Sequence, residues 1–142
     1  MTQIDFYTHV DNKYKIACML SAKALEHGMR VMIYTPDVET SKTLDQLLWT
    51  TPPTSFLPHC SPDHALATQT PIIIHHDPEG LTHDEVLLNL RPECPVFFSR
   101  FHRLIEIVGV EESDRLAARD RYRLYRDRGY EIRSHDLSKT KA

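Results

Sequence analysis

Short apolar runs alternate with amphipathic segments, and this alternation restricts the fold of the chain more than any other feature. Gln3 to His9, QIDFYTH, alternates and is rich in β-formers, so it reads as a first strand. Asp11 or Asn12 can cap a helix that runs to about Glu26, with Ile16, Met19, Leu20 and Ala24 as its expected buried side and His27-Gly28 as its end. Arg30 to Tyr34, RVMIY, is a short apolar run bounded by Gly28 and Pro36, which suits a buried strand. Asp37 opens a second amphipathic helix to about Trp49, on the periodicity of Leu44, Leu47 and Leu48. Strand, helix, strand, helix in this order predicts an α/β domain with parallel pairings.

The second half is less regular. Thr50 to Thr70 is proline-rich and expected to be an irregular connection, although Phe56 and Leu57 are too apolar to leave in water. Thr70 to His75, TPIIIH, is the best strand, and Asp77 to Gly80 is a turn. Val86 to Leu90 and Leu104 to Val108 read as further strands on either side of an aromatic segment, Pro95 to Phe101. A helix follows, and the chain from Ser134 is expected to be loose, giving one domain over residues 1–133 and a tail over 134–142.

That last helix is the most informative segment for function. Ser113 to Tyr130, SDRLAARDRYRLYRDRGY, places six arginines and three tyrosines in a chain of net charge -3. At about 100° per residue, Arg115, Arg119, Tyr122 and Arg126 fall within a stripe of roughly 60°. Leu116, Ala117 and Leu124 are expected on the core side, and Gly129 stands where a left-handed cap follows the last turn. Guanidinium forks beside a phenol ring suit a partner that is both anionic and apolar. The plainer reading is a solvated face on which Asp114, Asp120 and Asp127 neutralise half the arginines. Charge of one sign collected on one line weighs against it.

Overall composition excludes several classes. A net negative chain is a poor general coat for nucleic acid. Cys18, Cys60 and Cys94 are odd in number and widely spaced, as expected of reduced thiols. The N-terminus lacks the long apolar core of a signal peptide, and no apolar run approaches the roughly 20 residues that span a bilayer. These features predict a cytoplasmic protein without membrane attachment.

Catalytic motifs are lacking. The four glycines form neither a dinucleotide fingerprint nor a P-loop, and HVDNKYK stands where a phosphate cradle would follow the first strand. His59-Cys60, Asp63-His64 and His75-His76-Asp77 have no metal-ligand spacing, and adjacent histidines in one strand would point to opposite faces. No metal or cofactor is expected. A small hydrolase built on His59, Cys60 or His75 ranks last, because no orienting acid accompanies them.

Three segments in order carry a family resemblance: IDFYTHV, then DQLLWTTPPTSFLPH, then RFHRLIEIVG followed by AARDRYRLYRDRGY. Together they resemble the chi subunit of bacterial DNA polymerase III holoenzyme over nearly the whole chain. The resemblance implies a single Rossmann-like α/β domain with a mostly parallel twisted sheet flanked by helices, without catalytic activity. It implies an adaptor that links the clamp loader to the acidic-aromatic C-terminal tail of single-stranded-DNA-binding protein during DNA replication. By motif, the tail receptor would use Arg119 and Tyr122, with Arg115, Arg123 and Arg126 as supporting cations and Val108 in the apolar wall. The resemblance also implies that the middle segment binds the psi subunit through Trp49, Phe56 and Pro58. DNA would then be reached only indirectly. The rival reading is direct single-stranded nucleic-acid binding, with the same arginines on phosphates and Tyr122 stacked on a base.

Overall fold

The computed structural model of the chain describes residues 2–50, 59–60, 72–76 and 84–137, with the backbone alone at 48–50 and 59–60. It is an α/β fold in which β1 (Gln3–Val10), α1 (Lys13–Glu26), β2 (Val31–Tyr34) and α2 (Val38–Thr50) follow the expected order. Next come β3 (His59–Cys60), β4 (Ile72–His75), β5 (Val86–Asn89), a 3-10 turn (Phe98–Arg100), β6 (Arg103–Gly109), α3 (Glu112–Asp127) and β7 (Ile132–Asp136). The seven strands form one sheet in the order β3-β4-β2-β5-β6-β1-β7. Every pairing is parallel.

Helices cover both faces, which is why the central strands are continuously apolar rather than alternating. All four residues of β2 and of β5 are buried. On one face Ala17, Cys18 and Leu44 of α1 and α2 pack on Val31, Ile33, Ile72, Leu88 and Ile105. On the other, α3 and the aromatic turn pack Ala118, Tyr125, Phe98 and Phe101 on Ile4, Phe6, Met32 and Leu104. Three layers around one sheet make the single Rossmann-like domain.

Four expectations need correction. The inward residues of α1 are Ala17, Cys18 and Ser21, small side chains that let the helix lie close to the sheet. Ile16, Leu20 and Ala24 pack at the rim of that core, while Met19 is exposed. On α3 the buried residues are Ala118, Arg121 and Tyr125, not Leu116, Ala117 and Leu124; Leu116 is 51% exposed. Within the proline-rich connection, His59 and Cys60 pair with Ile72 and Ile73 as an edge strand. Finally, Ser134 to Asp136 are not loose: β7 runs beside β1 from Ile4↔Ile132 to Thr8↔Asp136, so the sheet continues past residue 133. The turn at Asp77 to Gly80 and residues 138–142 lie outside the described residues.

Helix ends follow their sequence signals. Asn12 accepts a hydrogen bond from the Lys15 amide, capping α1. Gly129 has φ +84 after the end of α3. The Tyr130 amide returns to the Tyr125 carbonyl at 3.1 Å and the Gly129 amide to Arg126 at 3.0 Å. This is a Schellman ending, and the left-handed residue it requires is the reason for glycine there. It turns the chain directly into β7.

Candidate functional site

Helix geometry decides which arginines are buried and which are presented. Counting about 100° per residue, Asp114, Ala118, Arg121 and Tyr125 lie within roughly 60° of one another and face the sheet. Arg115, Arg119, Tyr122 and Arg126 form a second stripe about 100° round the helix. The stripe expected from spacing therefore flanks the packed face of α3 instead of opposing it.

On that flank a cleft of about 200 Å³ opens between α3 and the C-terminal ends of β6, β1 and β7. Val108, Phe6, Ala118 and Tyr122 make up its apolar lining, joined by Arg115 and Arg119 from α3 and by Thr8, His9 and Ser134 from β1 and β7. Pockets for drug-sized ligands run to roughly 300–1,000 Å³, so this one suits a single inserted side chain. The Tyr122 ring rests edge-on against Phe6, with centroids 5.5 Å apart, and stays 39% exposed. An apolar slot rimmed by two guanidinium groups can take an apolar group carrying a nearby anion.

Of the expected receptor residues, Val108, Arg115, Arg119 and Tyr122 meet in this cleft. Arg123 and Arg126 do not line it. Arg126 is exposed and pairs with Asp127 at 3.3 Å, while Arg123 points to solvent. Trp49 lies in the last turn of α2, with only its backbone described, and Phe56 and Pro58 lie outside the described residues.

Beneath the same helix is an ionic cluster that the sequence reading did not anticipate. Glu106 of β6 is fully buried, with Asn89 Nδ2 at 3.0 and 3.2 Å from its two oxygens, Tyr125 Oη at 2.6 Å and Arg121 Nε at 3.1 Å. Arg121 also donates to the Pro92 carbonyl, tying α3 to the loop after β5. Burial pushes the Glu106 carboxyl up to about 7, against the pull of Arg121, Tyr125 and Asn89. Burial and then the Glu106 charge raise the Tyr125 phenol, so it stays a donor. A glutamate inside the apolar run RLIEIVG, with an arginine and a tyrosine four apart on the helix that follows, was the signal for this cluster.

At the C-terminal ends of β5, β6 and β1, where an α/β sheet of this kind would hold a nucleotide, a cleft of about 390 Å³ is open, with Asp114, Asp11 and Glu111 in its lining. Asp114 Oδ2 accepts from the Gly109 amide at 2.6 Å and pairs with Lys13 Nζ at 3.2 Å. A Cβ at position 109 would stand 3.1 Å from that oxygen, so the glycine here serves a close carboxylate contact. A carboxylate in the first turn of α3 repels phosphate where a nucleotide fold would attract it.

The histidine pair also differs from its strand-based expectation. His76 lies past the end of β4, so alternation no longer applies, and the two rings stand 4.5 Å apart. Among the described residues, no group of three or more His, Cys, Asp or Glu side chains is placed to hold a metal ion. Also among them, no helix is long and apolar enough to cross a membrane.

Comparison with known proteins gives the family. The family model described as "DNA polymerase III chi subunit, HolC" matches residues 1–133. The chain belongs to the chi family. The DNA polymerase III subunit chi of Pseudomonas aeruginosa is 34% identical over 142 residues, covering 96% of this chain and 98% of that protein. That of Haemophilus influenzae is 29% identical over 124 residues, covering 87% and 86%. That of Escherichia coli K12 is 28% identical over 119 residues, covering 83% and 81%. A chi subunit is an accessory part of DNA polymerase III, so the chain's role lies in DNA replication. In chi terms, the features described above are an arginine-rimmed cleft on the flank of α3 and a second cleft, at the nucleotide position, lined by carboxylates that include Asp114.

Proposed function

We propose that this chi-family chain is a non-catalytic adaptor whose α3 cleft receives the acidic-aromatic C-terminal tail of single-stranded-DNA-binding protein. The observation that carries the reading is the convergence of Val108, Arg115, Arg119 and Tyr122 on one small cleft. Arg119, or Arg115 beside it, takes the terminal carboxylate through its planar fork. The slot between Tyr122, Phe6 and Val108 takes the aromatic side chain. Arg123 and Arg126, outside the cleft, act on the tail's acidic residues only through a field that salt screens beyond about 10 Å. The tether to the clamp loader is assigned to the segment bearing Trp49, Phe56 and Pro58, through the psi subunit or an equivalent tether.

A weak, salt-sensitive clamp suits a moving replisome, because many identical tails on one strand raise the effective concentration and offset modest single-site affinity. The test is titration of the purified chain with a labelled tail peptide, the same peptide without its aromatic end, and a naked single-stranded oligonucleotide, each at two salt concentrations. Saturable binding of the full peptide, weakened by salt and lost with the aromatic end, supports the adaptor. Binding of the oligonucleotide in preference to the peptide would replace it with direct strand binding.

A further inference from the structure

We propose that His9 is a ligand-contacting residue of this cleft, aimed into it by a bulge in β1, and that its protonation strengthens binding of an anionic peptide end. The inference rests on the reading of the cleft as a tail receptor and adds a residue and a pH response to it.

Strict alternation along β1 would put His9 on the wrong face. Phe6 packs beneath α3, against Tyr122 and Tyr125. Tyr7 points the other way and stacks on His135, with centroids 4.5 Å apart and planes 17° from parallel. Thr8 returns to the α3 side and lines the cleft, so residue 9 should rejoin Tyr7. It does not. The register between β1 and β6 breaks between Tyr7 and Val10, and His9 takes φ +58. Its Nδ1 then lies 3.0 Å from Asp136 Oδ1 and 3.3 Å from Thr8 Oγ1. Asp136 pairs in register with Thr8 and stands two residues beyond Ser134, another lining residue, so the ring has been turned onto the cleft side. Bulges re-aim side chains in this way.

The backbone conformation is itself informative. Among the described residues His9 has the one positive φ outside glycine, the others being Gly28 and Gly129 after helix ends. A side-chain-bearing residue is strained there, and such outliers gather at functional sites.

The chemistry follows from the ring's two nitrogens. A carboxylate partner accepts only, so Nδ1 carries the hydrogen that is donated to Asp136. Among the described residues Nε2 has no hydrogen-bond partner. In the neutral ring Nε2 presents a lone pair, which a carboxylate avoids; in the charged ring it presents a donor, which a carboxylate seeks. The charged groups around the ring are Asp136 from β7 and Arg115 and Arg119 from α3, with the Lys13–Asp114 pair beyond Gly109; β6 contributes Val108 and Gly109 to the lining, and its Glu106, in register with Phe6, is buried beneath α3 and is common to wild type and the His9 variants. A protonated His9 would thus complete a cationic rim of three groups, with Arg115 and Arg119 from α3 and the imidazolium from β1.

The test is the affinity of a labelled peptide with two aspartates, an aromatic last residue and a free carboxylate, measured at pH 6.0 and 8.0 at constant ionic strength. With the peptide's amino end blocked by the label and its carboxylates ionised across this range, a difference belongs to the protein. Wild type should bind roughly threefold more tightly at pH 6.0, the size expected of a partly exposed charge contact. His9→Gln should bind with equal affinity at both pH values, because the titrating ring is gone. His9→Gly, which suits the positive φ and so keeps the bulge, should behave the same way. A wild-type pH ratio that survives in both variants overturns the role of His9 and leaves the receptor reading standing. Failure of folded wild type to bind the peptide at either pH overturns the receptor reading and this inference with it.

Discussion

Helix α3 carries the same two residue types twice, with opposite fates. Arg121 and Tyr125 are buried against Glu106, while Arg119 and Tyr122, a fraction of a turn away, rim an open cleft. Composition cannot separate the two pairs. Angle about the helix axis can: one pair faces the sheet and the other stands about 100° round from it. The buried pair holds α3 in place over β6, and the exposed pair is the one the proposed tail receptor uses. Fixing the backbone through Arg121 and Tyr125 also fixes where Arg119 and Tyr122 project, which lowers the ordering cost when a ligand arrives.

The comparison breaks most visibly at Arg121. Arg121→Ala leaves Glu106 buried beside an empty space and also removes the donor to Pro92, which should destabilise the fold by about 3–5 kcal/mol. Urea unfolding measures this, and a loss below about 1 kcal/mol would mean the cluster contributes little. Arg119→Ala should do the reverse. Exchanging an exposed helix arginine for alanine should change stability by less than about 0.5 kcal/mol. Tail-peptide affinity should fall by about 2 kcal/mol, roughly thirtyfold. If Arg119→Ala unfolds the protein, or leaves affinity intact, the division of labour along α3 is wrong.

What was legible in the sequence follows the same physical line. Strands β2, β4 and β5 announced themselves because burial on both faces makes them continuously apolar. The arginine stripe was legible because it depends only on spacing within one helix. The inner face of α3 was not, because Arg121 is a charged residue at a core position and its partner lies in another element, fifteen residues earlier in β6. β7, IRSHD, was missed because an edge strand with two half-buried residues lacks any apolar pattern. His9 could not have been assigned to the cleft at all, since its direction depends on a register break between β1 and β6. Contacts made between elements, rather than propensities within them, decided each of these.

A smaller effect sharpens the account of the buried half. Because burial raises the Glu106 carboxyl to about 7 in the folded chain, above its ordinary 4.5, the folded state binds more protons than the unfolded state between those values. Stability attributable to this group therefore rises as pH falls from 8 through 7 toward 5. By linkage, the gain from pH 8 to pH 6 is about 1 kcal/mol. Thermal unfolding at the two pH values should show a higher midpoint at pH 6, and Glu106→Gln should remove that slope. A wild-type midpoint that falls over this range, with the Glu106→Gln midpoint falling in parallel, would place the carboxyl in its ordinary acid range, held there by Arg121 and Tyr125.

The smallest expected effect lies at Arg126, which tests how far the exposed stripe extends. Spacing alone puts it in line with Arg115, Arg119 and Tyr122, yet it lies outside the cleft and pairs with Asp127 in solvent. A cation in that position acts on a bound tail only through screened water, so Arg126→Ala should weaken peptide binding by no more than about 0.5 kcal/mol, roughly twofold. The change should also vanish at high salt, where the Debye length shrinks to about 3 Å at 1 M. Arg119→Ala measured beside it should keep part of its effect there, because a bidentate contact in a partly desolvated cleft is screened much less than an exposed charge. Equal losses for the two variants at low and high salt would mean that the tail runs along the whole stripe and that the receptor is longer than the cleft. Unequal losses, with only that of Arg126 removed by salt, would confine direct contact to the turn of α3 facing Val108 and Phe6.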